Sequence, residues 1–200
     1  MTKTLLIIRH AERPAIEDGT VGNGLALTQN GIIQTTKFAE SLNRKILSLD
    51  SSPILRCTQT ADIIAKHHGF PFTSIGHSTL LGDPGFFIED AELAWTNWLE
   101  KGTDAVNQYL LSGTSTWPGF RDLDQAVKEM WKTIEDRLMQ TDDGIHLWVT
   151  HDTIVASLAS RLQKTSLELS DWPDFLGGIK VELEPEGSFD ISYSPSGFGS

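Results

Sequence analysis

The stretch TLLIIRHAERP, residues 4–14, decides the architecture. Leu5, Leu6, Ile7 and Ile8 run without a polar break, and the β-branched Thr4 precedes them. A short apolar run bounded by charge suits a strand buried on both faces, in a parallel sheet covered by helices on each side. The run stops abruptly at Arg9 and His10, with Arg13 and Pro14 just beyond. Arginines beside an apolar strand end rarely serve packing. The strand is therefore read as a rigid support that delivers His10 to a polar rim.

Working outward, residues 26–46 read as a helix: Thr28 is placed to cap it, and Ile32, Phe38, Ala39 and Leu42 share a stripe. A strand is expected over 46–49, and a helix from about 58 to 68, stopped by Gly69. Residues 72–75 suit a short strand. Residues 80–122 carry Gly-Pro punctuation and three of the six tryptophans, and are read as an insertion of helices and loops covering a site. Trp95, Trp98 and Trp117 are assigned to the core of that insertion. Val127, Met130, Ile134 and Leu138 fall at helical spacing. Residues 144–150 form a second buried strand, with a helix directly after it. IKVELE, the turn PEGS and FDISY read as a hairpin at the sheet edge, and YSPSGFGS as a loose tail. This order predicts one α/β domain over residues 1–200, a three-layer α/β/α sandwich around a mostly parallel sheet, with an insertion at about 80–122.

The 200 residues, 39% hydrophobic, suffice for one core. A formal charge of −11 repels nucleic acid and anionic membranes, so neither is an expected partner. An anionic substrate would need a local group of arginines set against that field. Cys57 is the single cysteine, so no internal disulfide can form, and it is read as a small buried hydrophobe. No secretion signal or apolar stretch of membrane-spanning length is read, so a cytoplasmic protein is expected.

In open α/β sheets, ligands bind at the carboxyl ends of the parallel strands. Three such ends carry chemistry here: Arg9, His10 and Arg13; then Ser51 and Ser52 leading to Arg56; then Thr150, His151 and Asp152. Arginine forks match phosphate oxygens and can hold a dianion. A neutral imidazole is a competent nucleophile toward phosphorus, and neighbouring guanidinium groups keep it unprotonated. A second histidine can donate to the transferring group, and a carboxyl group can protonate the leaving oxygen and then activate water. This set suits two-step phosphoryl transfer through a phosphohistidine, without metal or other cofactor. The substrate expected is a small phosphorylated molecule.

The motifs RHAERP, LTQNGIIQ, SSPILRCTQTA and VTHD together resemble the histidine phosphatase superfamily, the phosphoglycerate mutase and acid phosphatase group. The resemblance implies a phosphoglycerate mutase-like fold, His10 as nucleophile, Arg9, Arg13 and Arg56 as phosphate ligands, and His151 as the second pocket histidine. It leaves two candidates for the acid. Asp152 matches the His-Asp pair of the acid phosphatase branch, and is favoured because a strand end holds it rigidly. Asp83, with Glu89 and Glu92 behind it, matches the mutase-like branch, where the acid sits in the middle insertion. Ala11 stands where the acid phosphatase branch has glycine, and Pro14 falls one residue early. The function implied is a metal-independent phosphomonoesterase. The alternatives are mutase-type transfer or a non-catalytic phosphate-binding module.

The other polar residues have simpler readings. His146 sits mid-strand, His67 and His68 suit a helix C-terminus, and His77 has no evident role. Thr28, Gln59 and Thr60 are assigned to capping and surface.

Overall fold

A computed structural model describes residues 2–17 and 19–198. Six strands form one sheet in the order β3-β2-β4-β1-β5-β6. They are β1 (Lys3–Arg9), β2 (Ile46–Ser51), β3 (Gly76–His77), β4 (Gly144–Thr150), β5 (Gly178–Leu183) and β6 (Phe189–Ser194). β3, β2, β4 and β1 run parallel, and β5 and β6 continue the sheet antiparallel.

The strand period of two explains the layers. Leu5 and Ile7 point to one face of β1, where they meet α5 (Leu123–Met139) and α6 (Asp152–Leu162). Leu6 and Ile8 point to the other face, against α1 (Gln29–Ser41) and α2 (Leu55–His68). Both faces are buried, so the run has no polar alternation, as expected of a central parallel strand. The five apolar stripe positions of α5, from Leu123 through Val127, Met130 and Ile134 to Leu138, are all buried. Residues 80–122 hold α3 (Ala91–Lys101) and α4 (Thr103–Ser112), gathered on an aromatic cluster. Phe87 stacks on Phe120, and the Tyr109 and Trp117 rings lie 4.2 Å apart.

Four local expectations change. α1 spans Gln29–Ser41 rather than 26–46, and Ile32, expected on its apolar stripe, is 39% exposed. Residues 72–74 form a 3₁₀ turn rather than a strand, and the strand follows at Gly76–His77. α2 begins one turn earlier than expected, at Leu55, because Ile54 supplies the cap carbonyl to Cys57 and Thr58. The tail is not loose over its described part: Tyr193 and Ser194 belong to β6, Asp174 N donates to Pro195 O, and Phe198 packs on the core. Gly199 and Ser200 lie outside the described residues.

One glycine explains a motif. A Cβ on Gly31 would sit 2.3 Å from the Glu12 carbonyl oxygen. The helix start in LTQNG can therefore lie directly on the loop after His10 only because that position lacks a side chain. Thr28 caps α1 through Gly31 N and also donates to Glu12 Oε1 at 2.6 Å.

Candidate active site

The parallel register aligns the strand ends. Arg9 lies opposite Thr150, and Ser51 opposite Val149. β4 fits between β1 and β2, so the chain reverses its strand order at the gap where His10 and His151 emerge. That is where ligands enter such sheets.

His10 is 2% exposed. Its backbone N–H donates to Thr150 O at 2.8 Å, and the next, Ala11 N–H, donates to Thr60 Oγ1 at 3.1 Å. Thr60 is thus a buried tie between α2 and the nucleophile loop, not the surface residue expected. His10 Nδ1 lies 2.7 Å from Ala11 O. A carbonyl only accepts, so Nδ1 carries the proton and Nε2 the lone pair. Arg56 Nε donates to that Nε2 at 3.0 Å.

Arg56 organises the rest. Its Nη1 donates to Gly22 O at 2.9 Å, and its Nη2 lies 3.3 Å from His151 Nδ1. A guanidinium only donates, so His151 keeps its proton on Nε2, which donates to Ser52 Oγ at 2.9 Å. The two imidazole rings are 5.5 Å apart at 71°. Cys57 Sγ lies 3.5 Å from His151 Nε2, but burial pushes the thiol up to about 12, so it packs rather than reacts.

Burial drives both imidazoles toward the neutral form. His10 is held well below the usual histidine range by burial first, then by His151, Arg56 and Arg9, against the opposing pull of Ala11 O. His151 is pushed down to about 3 by burial, with Arg56 next. The unfolded chain binds more protons than the folded one below about pH 6.5. Stability is therefore full above that pH and falls as the pH drops toward the folded-state values. Each histidine is expected to contribute a slope of about 1.4 kcal/mol per pH unit. Urea unfolding at several pH values between 7.5 and 5 measures it. The slope should flatten in His151→Asn, and a flat wild-type profile would contradict this electrostatic picture.

The remaining predicted residues divide into two groups. A cleft of about 230 Å³ is lined by His10, Arg13, Arg56, Asp83, His151 and Asp152, among others. Arg9 is absent from that lining. Its Nη1 donates to Pro173 O at 2.7 Å, its Nη2 pairs with Asp152 Oδ2 at 3.0 Å, and its guanidinium covers the Phe175 ring. Its Nε, like that of Arg13, is buried with no partner among the described residues. Burial alone would raise the Asp152 carboxyl, but the Arg9 guanidinium and a bond from Trp172 outweigh it and hold the group below the usual range. The Nε of Arg13 is buried with no partner among the described residues, a donor available to an anion in the cleft. The N-termini of α2 and α6 also open here, which favours negative charge.

Asp83 arrives by a route no local pattern shows. Thr150 Oγ1 donates to Leu81 O at 2.5 Å and pins the following turn to the end of β4. Gly82 has φ 137°, and a Cβ there would lie 2.3 Å from His151 Cδ2. The turn therefore rests on the His151 ring and leaves Asp83 exposed at the cleft mouth. Sequence reading also missed Asn23 in the cleft wall and the supporting Trp172 and Phe175, which come from the loop before β5. LGDPG could have signalled a tight turn, but not its neighbour. His146 is buried and bonded to Ser48, and His68 Nε2 to Ala39 O, as structural readings of both require. Among the described residues, no group of three or more His, Cys, Asp or Glu side chains is placed to hold a metal. No helix among the described residues is long and apolar enough to cross a membrane.

Comparison with known proteins fits this geometry. The chain aligns over its length with mycobacterial glucosyl-3-phosphoglycerate phosphatase in complex with inorganic phosphate: TM-score 0.63, 17% identity, 98% of each chain covered. It aligns with phosphoglycerate mutase from Bacillus anthracis at TM-score 0.62 and 16% identity, covering 97% of this chain and 93% of that one. Phosphoserine phosphatase from Entamoeba histolytica, in complex with 3-phosphoglyceric acid, gives TM-score 0.64, 18% identity and 96% coverage of each. At such identities these likenesses show the fold. No curated protein sequence matches the chain. The sequence profile of the histidine phosphatase superfamily, branch 1, matches residues 5–178. With its phosphoglycerate mutase-like sheet and paired histidines at the parallel strand ends, the chain belongs to the histidine phosphatase superfamily.

Proposed function

We propose that the protein hydrolyses a small phosphomonoester in two steps through a phosphohistidine on His10. One observation carries the proposal: Nε2 of His10 bears its lone pair beside the Arg56 fork because Ala11 O holds the proton on Nδ1. Substrate phosphate takes the Arg56 donors away from the two imidazoles, with Arg13 beside it; His151 joins as a donor once its Nδ1, released by Arg56, takes up a proton. Nε2 then attacks phosphorus as the bond to the leaving oxygen breaks, and a carboxylic acid protonates that oxygen. In the second step water attacks the phosphohistidine, the same carboxylate takes its proton, and the electron pair of the P–N bond returns to Nε2. The arginines supply positive charge where negative charge spreads on the equatorial oxygens, so turnover is proposed to need no metal. The phosphate bound in one structural relative supports an anion of this size in such a fold.

The acid is assigned to Asp83 over Asp152. Asp152 is committed to Arg9 Nη2, Thr153 N–H and Trp172, and is held in its ionised form, which suits a charge partner better than a proton donor. Asp83 is exposed at the cleft mouth, where a leaving group exits. The test is hydrolysis of aryl and alkyl phosphates in excess chelator. Wild-type turnover should be insensitive to chelator. Asp83→Asn should slow alkyl phosphates by roughly 10²-fold and 4-nitrophenyl phosphate far less, because a good leaving group needs no proton. Asp152→Asn should slow both alike. The reverse pattern would return the acid to Asp152, and chelator-abolished turnover would overturn the metal-free mechanism.

A further inference from the structure

We infer that the groove between α3 and the loop after His10 is a leaving-group subsite, selecting bulky, uncharged aromatic or apolar alcohols over leaving groups with a second anionic charge. The inference rests on the phosphatase reading. The 230 Å³ cleft holds the phosphate site and part of a leaving group. Arg13, Ile16 and Val21 line both that cleft and a larger groove of about 780 Å³, whose far wall is Trp95, Trp98 and Leu99. A smaller recess of about 200 Å³ joins Asp83 and Pro84 to the same two tryptophans. The route from the phosphate site past the assigned acid is therefore continuous and aromatic.

The groove's exposure and rigidity suit a ligand. Leu99 is 58% exposed and Val21 51%, on facing walls. The Trp95 and Trp98 rings stack 6.2 Å apart, and Trp98 rests on Phe120 at 5.6 Å. α3 is fixed beneath them by Asn97, which is 1% exposed and donates to Pro118 O at 2.9 Å. Trp98 and Trp117 thus belong to the insertion core as the sequence suggested, but Trp95 faces the groove.

Charge sets the selectivity. Among the described residues, the charged side chains along groove and recess are Arg13, Glu17 and Asp83, and Arg13 is shared with the phosphate site. The α4 N-terminus at Gly102 and Thr103 also reaches the groove, but Asp104 in its first turn already answers its dipole. A second carboxylate or phosphate would meet two carboxylates and no cation of its own, within a chain of net charge −11. An aromatic group would cover the exposed apolar walls and stack on Trp95.

The test compares kcat/KM for three phosphates of primary alcohols: ethyl phosphate, 2-(1-naphthyl)ethyl phosphate and phosphoglycolate. The naphthylethyl ester should exceed ethyl phosphate by at least about 30-fold. Phosphoglycolate should do no better than ethyl phosphate. Trp95→Ala should cut the naphthylethyl-to-ethyl ratio about tenfold, and Leu99→Ala, on an exposed helix face, about threefold. A wild-type ratio near one, a preference for phosphoglycolate, or a ratio unmoved in both variants overturns the inference and leaves the phosphatase reading standing. If the wild type hydrolyses none of the three and His10→Ala matches it, the phosphatase reading fails and the inference falls with it.

Discussion

His10→Ala is expected to lower kcat by roughly 10³-fold or more for every phosphomonoester, good and poor leaving groups alike. The alternative to attack by Nε2 is direct attack by water, which must be positioned and activated in a cleft shaped around the imidazole. The loss is therefore chemical rather than a loss of binding. Arg13, Arg56 and His151 remain in the cleft lining, so inorganic phosphate should still bind the variant within about tenfold of wild type. Quenching of wild type with alkaline detergent during turnover of labelled substrate should leave base-stable, acid-labile label on the protein, and none on His10→Ala. A variant that retained more than a tenth of wild-type kcat, or still took up the label, would move the nucleophile elsewhere. Folding is not at risk in the same way, because the backbone of residue 10 keeps its bond to Thr150 O whatever the side chain.

The second large effect belongs to Arg56. Arg56→Ala removes three donors at once, those toward His10 Nε2, His151 Nδ1 and Gly22 O. A single preorganised donor to a developing oxyanion contributes about 10²–10³ in kcat. A loss of roughly 10³-fold in kcat/KM is expected, with kcat falling more than KM rises. Arg56→Lys should recover less than about a tenth of this, because an ammonium restores charge but not the fork that spans two imidazoles and the 22-carbonyl. The loop around Gly22 should also loosen in both variants, which amide hydrogen exchange at residues 20–24 would report. If Arg56→Lys were nearly as active as wild type, point charge alone would suffice and the fork geometry would not matter.

The layered fold was legible because burial on both faces leaves a plain mark: β1 and β4 are runs without alternation, each ended by Arg9-His10 or by His151-Asp152. α5 was legible from its apolar stripe. The strand over 72–75 was misplaced because a two-residue edge strand carries almost no pattern, and its pairing with Asp50 and Ser51 is tertiary. Thr60 looked like an exposed helix residue because nothing local records that Ala11 N–H approaches it. The tail looked disordered because its glycines and serines are turn formers, whereas Phe198 and the bond at Pro195 bind it down.

For the site, the sequence by itself determined which residue types arrive at the strand ends, since a parallel strand fixes where its carboxyl end points. It thereby determined the paired histidines His10 and His151 and placed Arg56 beside them. Only the tertiary structure decided how these groups are shared out. It tied Arg9 to Asp152 and Pro173, brought the Asp83 turn onto His151 through Gly82, and set Trp95 across from Val21. Strand direction is a local property of the chain, read from a few neighbouring residues. Side-chain pairing and loop approach depend on contacts between segments tens of residues apart, whose energies no short window of sequence contains.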